Sequence, residues 1–425
     1  MIPLAHTCYP RRPLGAVSRV QLGRMLQPDP KSDLDLKVPY LRATNVQDGR
    51  LGLDDVKEMF CSPLDADALR LNRGDLLVCE GGDVGRVSLV DDEFARTTIF
   101  QNSVHRVVPG ANMESRYLFY VLQAFYLESD YYSVLCNGAT IRHLTVDKLR
   151  RLPVPVPPPG QQRQIADFLD AQVAVLNRAV MLRRMQMGLL DERRGASFLE
   201  ALEDVAGITV RGLDPASRAD DWRPLGRVLK ELTNGFVGPT RDLLVEDGVP
   251  YLQSLHIKQG GIDFKRRPYF VPASWVAERP RITLRPDDLL IVQTGALGEV
   301  ALVTDAFAGA SCHALLIART GGAVRPDYLW HLFRSDWGKN ALLRRKTGAL
   351  HPHLEAGEIR DILIPIPSPA QQVEIVRRVA ARESEHVRTL AVLSHSETLI
   401  EERKKALITA VISGSPIVRL DRSVA

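Results

Sequence analysis

Two stretches of the chain carry a helical stripe. Ile165, Phe168, Leu169, Gln172, Leu176, Ala179, Leu182 and Leu189 recur at three- and four-residue spacing, with arginines and carboxylates outside the stripe. Val376, Val379, Leu390, Leu393, Ile400 and Leu407 repeat the pattern. Each stripe starts directly after a proline cluster, Pro153 to Pro159 and Pro365 to Pro369. Proline fixes φ and pushes its predecessor out of helix, so the chain enters each helix extended. Some 40 helical residues would reach about 60 Å, too far for one small core to wrap, so the two stripes are expected to bury each other as an antiparallel coiled pair. Upstream of each helix the pattern is that of strands. Val38 to Arg42 and Asp75 to Cys79 are short apolar runs bounded by turn residues. Gly81 to Gly85 is followed by Arg86 to Val90, a second strand, so the glycines belong to a hairpin turn and not to a phosphate-binding loop, which must open a helix. Tyr117 to Tyr126 and Tyr328 to Phe333 are dense enough in apolar residues for buried helices.

These elements occur twice. Val38-Pro39-Tyr40-Leu41 returns as Val249-Pro250-Tyr251-Leu252, and Arg12-Pro13-Leu14-Gly15 as Arg223-Pro224-Leu225-Gly226. Gly74 to Val90 matches Asp287 to Val303, Asn137 to Leu144 matches Thr347 to Leu354, and Val154 to Ile165 matches Ile364 to Ile375. Blocks in one order, with only small changes of offset, indicate a tandem duplication. The expected organisation is a β-rich α/β module over residues 1–158, a long helix over 159–203, a linker over 204–222, a second module over 223–369, a second long helix over 370–412 and a tail over 413–425. The fold class is thus mixed α+β, with two tandem modules and a helix pair.

Composition narrows the function mostly by exclusion. At 425 residues the chain is long for one core. No run is apolar and long enough for a membrane helix and no signal segment opens the chain, so the cytoplasm is the expected compartment. Cys8, Cys61, Cys79, Cys136 and Cys312 are scattered and form no C-x-x-C pair, which argues for reduced thiols and against a zinc site. A formal net charge of +4 would steer a polyanion only weakly. There is no Walker-type loop and no Asn/Asp-Pro-Pro-aromatic tetrad. Asp29 with Asp35 and Lys37 resembles the carboxylates and lysine of a metal-dependent nuclease, but the spacing is short and the second half has no copy, so a solvated charged loop is the better reading. His351 and His353 lack the further ligands a metal would need.

Taken in order, the Gly74 to Arg86 block, Phe100 to Pro109, and the run from Asn137 to Asp170 with its proline-rich entry into a helix opening Gln161-Gln162, repeated at Gln371-Gln372, resemble the specificity subunit of type I restriction-modification enzymes. The resemblance covers both halves. It implies two target recognition domains joined by spacer helices, binding double-stranded DNA, two methyltransferase subunits and two motor-nuclease (restriction) subunits. It also implies no catalytic residue, metal or cofactor in this chain, with S-adenosylmethionine, ATP and Mg²⁺ held by the partners. Because the halves differ, an asymmetric bipartite target is expected, read by modules related through a pseudo-two-fold axis. Polar residues on turns and hairpin tips are the candidate base readers: Arg42, Asn45, Glu80, Asp83, Arg86, Asn102 and Arg142 in the first module, and Gln253, His256, Gln293, Thr294, His313 and His353 in the second. A stand-alone DNA-modifying or DNA-cleaving enzyme, or a duplicated protein-binding scaffold, are the alternatives.

Overall fold

The computed structural model describes residues 9–47, 49–90, 98–128, 132, 135, 143–210, 221–240, 242–348 and 352–414. The chain forms two compact units, Met1–Arg183 with His395–Ala425, and Arg184–Ser394.

In unit 1 the strands are β1 (Ser18–Leu22), β2 (Leu36–Leu41), β3 (Lys57–Cys61), β4 (Leu76–Cys79), β5 (Val87–Leu89), β6 (Ile99–Phe100) and β7 (Val104–Pro109). An antiparallel four-stranded sheet has the order β1-β7-β4-β5, and a three-stranded sheet the order β3-β2-β6, with β2 and β6 parallel. Helix α1 (Ser115–Leu127) and the long helix α2 (Pro159–Ala206) follow. Every residue of β4 is buried, because both faces of its sheet are covered. Leu76 and Val78 face the core built with Tyr117, Leu118 and Val121 of α1, whereas Leu77 and Cys79 face Leu41, Met59 and Phe100 of the smaller sheet. This is why the sequence Leu-Leu-Val-Cys shows no polar alternation.

Unit 2 has the same topology. Its strands are β8 (Leu229–Asn234), β9 (Val249–Leu252), β10 (Phe270–Val271), β11 (Leu289–Val292), β12 (Val300–Leu302), β13 (Ser311–Cys312) and β14 (Leu315–Thr320). The four-stranded order is β8-β14-β11-β12 and the three-stranded order β10-β9-β13, again with the last pair parallel. Helices α3 (Pro326–Arg334), α4 (Asp336–Leu343) and the long α5 (Pro369–Ile412) complete it. The duplicated sequence blocks meet in space. Arg11–Pro13 pairs antiparallel with Pro153–Pro155, and Trp222–Pro224 with Leu363–Pro365.

The compact units cut through the long helices. In unit 1, Ile408 and Ile412 from the end of α5 share a core with Ile165 and Leu169 from the start of α2. In unit 2, Phe198 and Leu202 from the end of α2 pack with Ile375 and Val379 from the start of α5. Start meets end each time, so the helices pair antiparallel. Polar groups cross the same seam: Lys404 Nζ donates to Asn177 Oδ1 at 3.2 Å in unit 1, and Arg382 donates to the Ser197 carbonyl at 3.0 Å and to Asp204 at 3.2 Å in unit 2. The expected stripes need correcting in the middle. Leu182 and Leu189 are exposed, as are Met181 and Met185. Helix α2 also runs past residue 203 and stops at Gly207, whose φ of 69° and N–H bond to the Glu203 carbonyl at 2.9 Å terminate it. Most of the expected linker, 211–220, lies outside the described residues, as do Cys8 and Cys136. Cys61, Cys79 and Cys312 are buried free thiols.

Candidate nucleic-acid interface

The second glutamine of each Gln-Gln pair ties a module to its helix. Gln162 is buried; its amide donates to the carbonyls of Pro157 at 2.8 Å and Asn112 at 3.1 Å, and its Oε1 accepts the Glu114 N–H at 2.8 Å. Gln372 repeats all three bonds with Pro367 (2.9 Å), Ala323 (3.0 Å) and the Arg325 N–H (2.8 Å). The Tyr117 hydroxyl donates to the Pro155 carbonyl at 3.1 Å and that of Tyr328 to Pro365 at 3.0 Å. The motif was legible in the sequence; its role as a joint was not.

Each β4–β5 or β11–β12 hairpin carries a glycine-rich tip. Gly82, Gly85, Gly295 and Gly298 all have φ between 72° and 85°, as a turn that reverses the chain requires. Backbone bonds draw other segments to this tip. In unit 1 the Glu80 N–H donates to the Ser103 carbonyl at 2.9 Å, the Leu144 N–H to the Glu80 carbonyl at 2.8 Å, and Arg86 Nη2 to the Ala43 carbonyl at 2.8 Å. Arg42, Glu80, Asp83, Arg86 and Asn102 therefore lie on one group of connected loops. In unit 2 the Leu354 N–H donates to the Gln293 carbonyl at 3.0 Å and the His313 N–H to the Leu252 carbonyl at 2.8 Å. Gln253, Gln293, Thr294, His313 and His353 are likewise gathered.

The shared bonds fix the correspondence between halves. Gln293 stands where Glu80 does, Thr294 where Gly81 does, and His313 where Gln101 does, since the Gln101 N–H bonds to Leu41 as that of His313 bonds to Leu252. Ala314, with φ 49°, takes the place of Asn102. Two expected readers are corrected by their burial. Asn45 is 3% exposed, accepts the Arg42 N–H at 3.1 Å and donates to the carbonyls of Gly52 and Asp55. His256, at 0% exposure, does the same job with the Gln253 N–H at 2.9 Å and the Arg267 carbonyl at 2.8 Å. Both fold a turn and present nothing to a base edge.

The remaining side chains differ in how free they are. Asp83 is exposed, accepts the Tyr126 hydroxyl at 2.8 Å and pairs with Arg86 at 3.3 Å. Arg42 pairs with the exposed Asp55, a contact that a base or phosphate can displace. Glu80 lies 3.6 Å from His143 Nδ1. Gln293 spends its amide on Asn234 Oδ1 (3.2 Å) and the Leu354 carbonyl (3.0 Å), which leaves Oε1 as its outward acceptor. His353 engages Glu355 at 3.0 Å. Burial holds the His313 imidazole below the usual range, and Nδ1 is set 3.4 Å from the Tyr251 hydroxyl. Thr294 is exposed at its tip, and Arg142 lies outside the described residues.

The charged stretch Asp29 to Lys37 is held by local partners. Asp35 accepts from Gln27 (2.7 Å) and the Lys31 N–H (2.8 Å), and Lys37 pairs with Glu58 at 2.8 Å on the surface. Among the described residues no group of three or more His, Cys, Asp or Glu is placed to hold a metal ion, and no helix is long and apolar enough to cross a membrane.

Residues 13–179 match the family model of the type I restriction modification DNA specificity domain. Over 398 residues the chain is 20% identical to the type I restriction enzyme MjaVIII specificity subunit of Methanocaldococcus jannaschii, covering 90% of this chain and 87% of that protein. It is 23% identical to the EcoKI specificity subunit of Escherichia coli K12 over 355 residues, 80% of this chain and 74% of that one. The chain is thus similar to type I restriction-modification specificity subunits over most of its length. Two solved structures share the fold of this chain. A chain from a study of complex assembly and conformational transition of the type I restriction-modification system superposes with TM-score 0.68 at 15% identity, covering 95% of this chain and 97% of its own. The HsdS subunit from Thermoanaerobacter tengcongensis gives 0.51 at 17% identity, covering 95% of both chains.

The sequence reading passed over Arg344, Arg345 and Lys346. All three are exposed and lead into the Lys346–Thr347 strand, which pairs with His353–Leu354 beside Gln293. They place three adjacent cations next to a hairpin tip, and the Arg-Arg-Lys run was the available signal.

Proposed function

We propose that this chain reads an asymmetric, two-part DNA target, one part per module, and brings methyltransferase and restriction subunits to it without contributing chemistry. The observation that carries this reading is one scaffold presenting unlike side chains. Equivalent turns and tips display Arg42 against Gln253, Glu80 against Gln293, Gly81 against Thr294 and Gln101 against His313. Carboxylate, amide and imidazole groups pair with different base edges, so identical backbones carrying them select different half-sites.

The stoichiometry that fits the duplication is two methyltransferase and two restriction subunits per chain. Exposed Val175, Met181 and Leu182 in unit 1, and Met185, Leu189, Val387 and Val392 in unit 2, offer apolar helix surface to such partners. S-adenosylmethionine, ATP and Mg²⁺ belong to those partners on this reading. The test is sequencing of modified bases in cells with and without the gene. The expected result is loss of methylation at one motif made of two unlike parts separated by a fixed unread gap. A palindromic motif, or an unchanged methylome in cells that make an active partner methyltransferase, overturns it. Purified chain given DNA with Mg²⁺ or S-adenosylmethionine is expected to show no turnover.

A further inference from the structure

One place in the duplicated fold is lined differently in the two units. It lies among the module's small hairpin, its short helix and the long helices. In unit 2 the corresponding wall is bridged by side chains. Trp330 Nε1 donates to the Gly260 carbonyl at 2.8 Å, Arg334 stacks 4.2 Å over the Trp330 ring, and Arg334 Nη1 pairs with Glu383 at 2.9 Å. In unit 1 the equivalent positions hold Phe119, Gln123 and Val173, beside the equivalent turn glycine Gly49. The indole donor, the guanidinium and its carboxylate are all missing, and the cleft measures about 810 Å³.

The rims differ as well. Arg50 and Arg73 border the unit 1 cleft, both exposed, and among the described residues neither guanidinium has a partner. Their counterparts are Gly261 and Pro286. Inside, Leu51, Leu53, Phe119 and Val173 supply apolar wall. The two inner carboxylates are already satisfied: Arg116 binds Glu114 at 3.0 Å and Asp170 at 2.7 Å, and the Tyr120 hydroxyl donates to Asp170 at 2.7 Å. An apolar cleft with unpaired cations at its mouth complements a peptide segment that carries an apolar side chain flanked by carboxylates. Arg73 and Val90 sit at the end of the β4–β5 hairpin opposite its tip, away from the candidate base readers.

We propose that this cleft seats an acidic, apolar-bearing segment of a methyltransferase subunit, so that the two halves of the chain engage their partners unequally. The proposal rests on the function above: a methyltransferase must lie beside a recognition module to reach a base within the half-site. The test uses the full chain and its methyltransferase subunit, titrated at fixed salt and followed by native mass spectrometry. Two double variants are compared with the natural chain. Arg50→Glu with Arg73→Glu reverses the rim on exposed positions that the fold does not need. Gln123→Arg with Val173→Glu builds the closing pair of unit 2 into unit 1. Each is expected to weaken binding of one methyltransferase copy about tenfold or more, with DNA binding by the chain alone and its melting temperature unchanged. Wild-type affinity in the folded rim variant overturns the proposal. So does a rim variant that loses DNA binding but keeps the methyltransferase, since the arginines would then be phosphate contacts. If the natural chain binds no methyltransferase at all, the functional reading itself fails.

Discussion

Gln162 and Gln372 each spend an entire side-chain amide on main-chain partners from two separate segments. Replacing Gln162 by Leu strands one N–H and two carbonyls, and each buried unsatisfied group costs about 1–3 kcal/mol. A urea melt of Gln162→Leu is expected to show a loss on that order, and an unchanged midpoint would remove the joint from the account. A second buried device is Arg319, which pairs with Asp288 at 2.9 Å and Glu231 at 2.7 Å and also donates to two carbonyls. Arg106 and Asp75, 2.7 Å apart, are its counterpart in unit 1. Arg319→Met leaves Asp288 charged and buried, and breaking such a pair typically costs about 3–5 kcal/mol. Histidines add a pH dependence. Burial pushes His105 and His256 below the usual imidazole range and His331 down to about 4. The unfolded chain takes up these protons first, so stability is full above the unfolded value of about 6.5 and falls as pH drops from there toward 4. Urea midpoints measured from pH 7.5 to 4.5 are expected to decline, and His331→Gln should flatten part of the slope.

Among the elements, the glycine-tipped hairpin, the long helices and the helices at Tyr117 and Tyr328 were legible because their signals are local, whereas Asp336–Leu343 was not read as a helix. Glycines at Gly82 and Gly85 followed by Arg86 to Val90 can only turn back into a strand, and the proline clusters mark both helix entries. The three-stranded sheets were not legible beyond β2 and β9, because β3, β6, β10 and β13 are short and their pairing joins residues far apart, such as Tyr40 with Ile99. Asn45 and His256 illustrate the same limit. A polar residue after a strand reads equally as a DNA contact or as a turn clasp, and only the positions of Gly52, Asp55 and Arg267 decide. The seam of the helix pair is testable here. Leu202 is buried in unit 2 and Ile412 in unit 1. Truncating either to Ala is expected to cost about 2–4 kcal/mol, whereas Leu189→Ala on the open face should change stability by less than about 0.5 kcal/mol.

For the whole molecule, the duplication was the most informative sequence signal: five matched blocks indicated two like modules, and the two four-stranded sheets share one strand order. Where the halves diverge, the sequence blurred the alignment, and the main-chain bonds of Glu80 with Leu144 and of Gln293 with Leu354 restored it. A weak net charge of +4 is consistent with a chain that shares phosphate contacts with partners. The central claim is that each module inspects its own half-site independently of the other. Exchanging Val38 to Leu152 for the first module of another specificity subunit, then sequencing methylated bases in cells that carry the hybrid, tests it directly. One half of the recognised motif should change while the other half and its identity persist; a hybrid that alters both halves contradicts independent reading.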